Sequence, residues 1–73
     1  MRLQDQINEA SEKIYAAGGE QHFITINPLF LRDNRNEIDF YGIDIRTTFG
    51  TLKPVIDPKV DYGVFYITSE IVQ

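Results

Sequence analysis

Cysteine is absent from the chain, so no disulfide can brace it and thiolate metal sites are excluded. Histidine occurs once, as His22, and a nucleophilic triad or a histidine-based metal site would have to be built around that one ring. Ser11 and Ser69 fall in stretches that read as helix and strand, without a nucleophile-elbow pattern. No run is long and apolar enough to cross a bilayer. The first twenty residues carry Asp5, Glu9 and Glu12 among their apolar positions, so they are expected to be neither a leader nor a span. Repeats, low-complexity tracts and linkers are also missing, which leaves a single domain over residues 1–73. These absences predict a non-enzymatic, cytoplasmic protein that needs no cofactor and no metal.

Charge narrows the partners. Eleven acidic residues against seven basic give a net −4, which makes a nucleic-acid binder working by phosphate neutralisation an unfavourable reading. A DNA mimic needs a dense surface of one sign, and Arg32, Arg35, Arg46, Lys53 and Lys59 interrupt it. At 73 residues, folding buries only roughly 60% of the surface the unfolded chain exposes. Small domains of this kind lean on disulfides, metals or association. With the first route closed, a homo-oligomer, most simply a dimer, is expected.

Leu3, Ile7, Ala10, Ile14 and Ala17 recur at alternating spacings of four and three, one narrow stripe along an α-helix. Asp5 in the first turn favours the helix dipole, Glu9 and Lys13 form an i,i+4 pair, and Gly18-Gly19 supplies the left-handed end. The stripe covers about two heptads, too short for a coiled coil, and is sized to pack on the protein's own sheet.

The rest of the chain reads as strands. In His22–Asn27, His22, Ile24 and Ile26 share one face and Phe23, Thr25 and Asn27 the other. Pro28 marks an edge, bulge or break, after which Leu29-Phe30-Leu31 continues the strand with altered facing. Arg32–Glu37 is the best hairpin loop. Ile38–Thr48 changes phase at Gly42, which predicts a β-bulge. Phe49-Gly50 suggests a tight hairpin, Leu52–Ile56 a short edge strand tolerant of Pro54, and Asp57–Asp61 a turn. Tyr62–Val72 is the most β-rich run, with Val64, Tyr66 and Val72 on one face and Phe65, Ile67 and Ile71 on the other. It reads as an inner strand. The predicted fold is α+β, an N-terminal amphipathic helix on one face of a three- to four-stranded, mainly antiparallel sheet, αβββ or αββββ.

Candidate chemistry is thin. His22 suits a partly exposed position at a strand start better than a catalytic one. Glu37, Asp39 and Asp44, and Asp57 with Asp61, suit solvated edges and turns better than general acid–base work, which needs two carboxylates in different environments across a cleft. The loop Asp33–Glu37 has Arg35 at a ligand position and lacks the glycine of a calcium loop. Arg32, Arg35 and Arg46 near Phe30, Phe40 and Tyr41 could stack bases, yet a core built from those aromatics is the better account. Gly18-Gly19 follows a helix, whereas phosphate-binding loops precede one.

Counting faces goes furthest. One helix covers one side of a sheet, while apolar groups are supplied to both. The surplus predicts an interaction surface of Phe23, Phe30, Tyr41, Tyr62, Val64 and Tyr66, with Phe65, Ile67 and Ile71 as the alternative face. The expected function is a small binding or regulatory protein that docks on a protein partner. Short, acidic chains that begin at Met and lack cysteine have the general look of accessory proteins of phages or mobile elements, including inhibitors of host or defence proteins; no motif carries that comparison. The alternative is a sensor or sequestering protein for an anionic small molecule or nucleotide, with a pocket between protomers walled by Tyr41, Tyr62 and Tyr66.

Overall fold

The computed structural model describes residues 2–70. Its first element is helix α1, Leu3–Ala16. Leu3, Ile7 and Ser11 are buried, Ala10 and Ile14 half-buried and Ala17 exposed, so the buried stripe turns from the apolar positions onto Ser11. The helix ends in a Schellman motif: Gly18 (φ +75) donates to the Tyr15 carbonyl and Gly19 to that of Ile14.

Strand β1, Phe23–Ile26, follows, and Pro28 then opens a helix in place of the expected strand. Helix α2 spans Pro28–Asp33. Asn27 is its N-cap, its Oδ1 accepting from Leu29 at 2.8 Å and Phe30 at 3.2 Å, and Pro28 takes the first helical position, where its missing N–H costs nothing. The predicted hairpin loop is accordingly the end of α2 and a 3₁₀ turn, Arg35–Glu37.

The phase change at Gly42 is a turn, not a bulge. Strands β2 (Phe40–Tyr41) and β3 (Asp44–Thr47) pair antiparallel around Gly42-Ile43. Gly42 has φ +65 while Ile43 does not, the φ pattern of a type II′ hairpin turn. Strand β4, Gly50–Ile56, pairs with β3 through a second hairpin whose turn is Thr48-Phe49, one residue earlier than expected. Strand β5 is Phe65–Thr68.

The sheet order is β2-β3-β4-β1-β5. All pairings are antiparallel except β1 with β4. The fold is thus α+β with the helix on a mainly antiparallel sheet, with five strands rather than three or four because the turn at Gly42 divides one predicted strand in two. The run Tyr62–Val72 is corrected most: only Phe65–Thr68 is strand, and it lies at the sheet edge rather than inside. Ile71 and Val72 fall outside the described residues.

β4 is central, not an edge, yet Pro54 is accommodated by the same rule that suggested an edge. Lys53 and Asp57 donate to the carbonyls of His22 and Ile26, so the Pro54 nitrogen faces the other side, where the ladder with β3 has already ended at Leu52. Proline sits where the central strand is locally unpaired.

One face of the sheet holds the core. Ile24 and Ile26 from β1, Ile45 from β3 and Leu52 from β4 cluster with Leu3 and Ile7 of α1 and with Ile38, and Phe30, Leu31, Phe40, Phe65 and Ile67 pack against them. Polar contacts fix the helix on this face. Gln4 Nε2 donates to the Arg46 carbonyl at 2.7 Å and its Oε1 accepts from the Asp39 amide at 2.9 Å, while Ser11 donates to Gln21 Oε1 beside Thr47 Oγ1. No helix among the described residues is long and apolar enough to cross a membrane.

Candidate protein-docking surface

Strand alternation assigns the second face. Ile24 and Ile26 enter the core from β1, so Phe23 and Thr25 point to the opposite side. By register, Phe23 lies between Lys53 and Thr68, and Thr25 between Val55 and Tyr66. Arg46 and Thr51 are paired on β3 and β4, and Tyr41 and Asp44 on β2 and β3. Both helices send their buried or half-buried apolar residues to the first face. The second is left as a broad sheet surface with an apolar centre.

Its aromatics are accessible: Tyr66 is 52% exposed and Tyr41 63%. The Arg46 guanidinium lies 5.0 Å from the centroid of the Tyr41 ring, a cation–π geometry that holds the charge over the surface. Thr25 is 1% exposed at the centre, and its Oγ1 is buried with no hydrogen-bond partner. The face carries Arg46 and Lys53 together with Asp44 and, opposite Arg46 in the β2–β3 ladder, Asp39, so it is close to neutral while the whole chain carries −4.

Three of the predicted contact residues, Phe23, Tyr41 and Tyr66, therefore share one face, Phe23 beside the Tyr66 strand and Tyr41 at the opposite edge of the sheet. The others lie elsewhere. Phe30 packs its ring on Tyr62, centroids 5.1 Å apart, and the Tyr62 hydroxyl donates to Asp33 Oδ2 at 2.9 Å. Val64 is half-buried just ahead of β5. The Asp33 carboxylate beside the phenol raises the Tyr62 pKa above the ordinary 10.0, chiefly through that hydrogen bond. Tyr62 thus belongs to a polar–aromatic clasp between α2 and the segment leading to β5, apart from Tyr41 and Tyr66. Of the alternative face, Phe65 and Ile67 pack on the core.

Strand alternation places Thr25 with Phe23, and the sequence sets Arg46 near Tyr41, but Val55 and Lys53 carry no local signal: the parallel pairing of β1 with β4 is needed to bring them beside Phe23 and Thr25. A further feature without a sequence signal is Tyr15 stacked on Phe49, centroids 4.0 Å apart and ring planes nearly parallel, which ties the end of α1 to the β3–β4 turn.

Two of the carboxylates considered for acid–base work, Glu37 and Asp57, have structural partners. Glu37 accepts from the Leu3 amide at the start of α1, and Asp57 accepts from the Lys59 amide within its turn at 2.9 Å. His22 is exposed just before β1, 3.7 Å from the Glu20 carboxylate. Among the described residues no group of three or more His, Asp or Glu is placed to hold a metal ion.

No family model matches this chain, and neither a curated protein nor a solved structure does.

Proposed function

We propose that the chain is a small, non-enzymatic binding protein that regulates a cytoplasmic protein partner by docking through the uncovered sheet face. The observation that carries this reading is the composition of that face: Phe23, Val55 and Tyr66 form an apolar centre flanked by Lys53 and Arg46. An apolar core with a charged rim is the anatomy of a protein interface. Two cations in a molecule of net charge −4 are too few to hold a polyanion, which argues for a protein partner over nucleic acid. Charge also selects the partner's rim. Lys53 and Arg46 are complemented by a surface that brings carboxylates around an apolar anchor. Inhibition of a host or defence protein by a phage or mobile-element protein is the biological setting we propose for it.

Affinity capture with quantitative mass spectrometry tests the reading, with Lys53→Glu beside the native chain. Lys53 is exposed, so the variant keeps its fold while any partner held by this face is lost. Retention of every partner by Lys53→Glu overturns the assignment of the face.

One observation favours the small-molecule alternative. Leu31, Arg35, Phe40, Gly42, Ile43 and Pro54 line a groove of about 260 Å3 where β4 is locally unpaired, and Arg35 lies 5.3 Å from the Phe40 ring centroid. The volume is slightly under the ~300 Å3 at which ligand pockets begin. A thermal shift with nucleoside monophosphates that disappears in Arg35→Gln would support it.

A further inference from the structure

Among the described residues, strand β5 leaves one edge of the sheet open. β1 directs the carbonyls of His22 and Ile26 to β4, so Phe23 and Thr25 face β5 with their backbone groups. Their register partners Thr68 and Tyr66 face back toward β1. By alternation, the amides and carbonyls of Phe65 and Ile67 point outward from the sheet.

Natural edge strands are blunted by lysine, proline, bulges or extreme shortness. The opposite edge follows that rule, since β2 has only two residues. β5, Phe65-Tyr66-Ile67-Thr68, has four residues and neither a charge nor a proline. The side chains of Phe65 and Ile67 stay half-buried although they pack on the core. A groove of about 420 Å3 runs beside them, lined by Gln6, Glu9, Ala10 and Lys13 of α1 and by Phe65. Glu9 and Lys13 pair at 3.5 Å, so this flank of an acidic molecule is locally neutral.

We infer that β5 is the interface of a two-fold dimer, in which it pairs antiparallel with β5 of a second copy to form a continuous ten-stranded sheet. The strand is self-complementary about Tyr66. With the axis there, Phe65 and the partner's Ile67 exchange both backbone hydrogen bonds, and Ile67 does the same with the partner's Phe65. These apolar side chains lie together on the helix side of the sheet. Tyr66 meets the partner's Tyr66 as a non-hydrogen-bonded pair, the closer kind of cross-strand neighbour. A two-fold axis consumes both open edges at once and closes the assembly. Because β2 is so short, no further copies add at the outer ends. The uncovered faces of the two protomers become one surface, but the dimer does not depend on what docks there.

Sedimentation equilibrium and amide hydrogen exchange test the inference together. The native chain is expected to be a dimer at ~100 μM, with the Phe65 and Ile67 amides protected and their protection falling on dilution. Tyr66→Lys places two like charges opposite each other on an accessible position and should raise the dimer Kd at least ~10-fold, as should Tyr66→Glu. Mixing the two variants should restore a 1:1 heterodimer, which a general loss of folding could not do. A native chain that stays monomeric at ~100 μM overturns the inference, and so does a dimer in which the Phe65 and Ile67 amides exchange as freely as exposed ones. Failure of the mixture to associate overturns the placing of Tyr66 on the axis. Lys53→Glu, which removes docking, should leave the dimer intact, so the two readings fail separately.

Discussion

Thr25 and Tyr62 show how a single side chain can sit at odds with its surroundings. The Thr25 hydroxyl is buried without a hydrogen-bond partner, a desolvated group whose replacement by a methyl of the same shape removes a cost of about 1 kcal/mol. Thr25→Val is therefore expected to raise the unfolding midpoint in urea, and a lower midpoint would show that the hydroxyl is satisfied in solution. Tyr62 is held protonated by its bond to Asp33, with a pKa above 10.0. A raised folded-state pKa means that the native form holds this proton more tightly than the unfolded chain does. Its contribution to stability is fully present below pH 10 and is lost as pH climbs through the raised value. Spectrophotometric titration should show Tyr62 ionising above pH 10, and Asp33→Asn should bring that value down; a tyrosine unaffected by Asp33→Asn would mean the bond is not formed.

At the scale of elements, Asn27 does the most for its size. It ends β1, caps α2 through Oδ1, and donates from Nδ2 to the Val60 carbonyl at 2.9 Å. One side chain thus ties the helix to the turn that leads toward β5. Asn27→Ala should cost about 1–2 kcal/mol, more than Asn34→Ala, whose amide bonds the Phe30 carbonyl of its own helix and caps no helix start. Chemical denaturation of both variants checks the ranking. The same position shows where sequence reading failed. Asn-Pro carries the chemistry of an N-cap followed by a first helical residue. It was read as strand disruption because Leu29, Phe30 and Leu31 are apolar and the helix is only six residues long, too short for periodicity to show.

The whole molecule is acidic, while its second sheet face sets Lys53 and Arg46 beside Asp39 and Asp44, and net and local charge act over different ranges. Net charge governs distant approach, while Lys53 and Arg46 act within a Debye length of about 8–10 Å once a partner is seated. Docking on an acidic rim should weaken as salt is raised, despite the −4 total. Binding measured between 50 and 500 mM salt checks this, and affinity that strengthens with salt would remove the cations from the interface. A ten-stranded dimer would present two such faces side by side, so a partner with two matching surfaces would gain by avidity.

Local chemistry carried much of this protein into view. Helix α1 and its Gly18 cap, the facing of β1 and the Thr48-Phe49 hairpin to within one residue all rest on neighbouring residues. So does the placing of Phe23 on the face opposite Ile24 and Ile26. Sheet order rests on nothing local. That β1 runs parallel to β4, that Phe65–Thr68 ends at an edge, and that Tyr62 joins Phe30 and Asp33 while Tyr66 joins Thr25 depend on pairings between residues some thirty or more apart in sequence. A strand's propensity describes its side chains; its neighbours are chosen by how the two helices crowd one face and which backbone edges remain to be paired. Tertiary structure alone therefore decided which face of the sheet is covered and which is left without a helix.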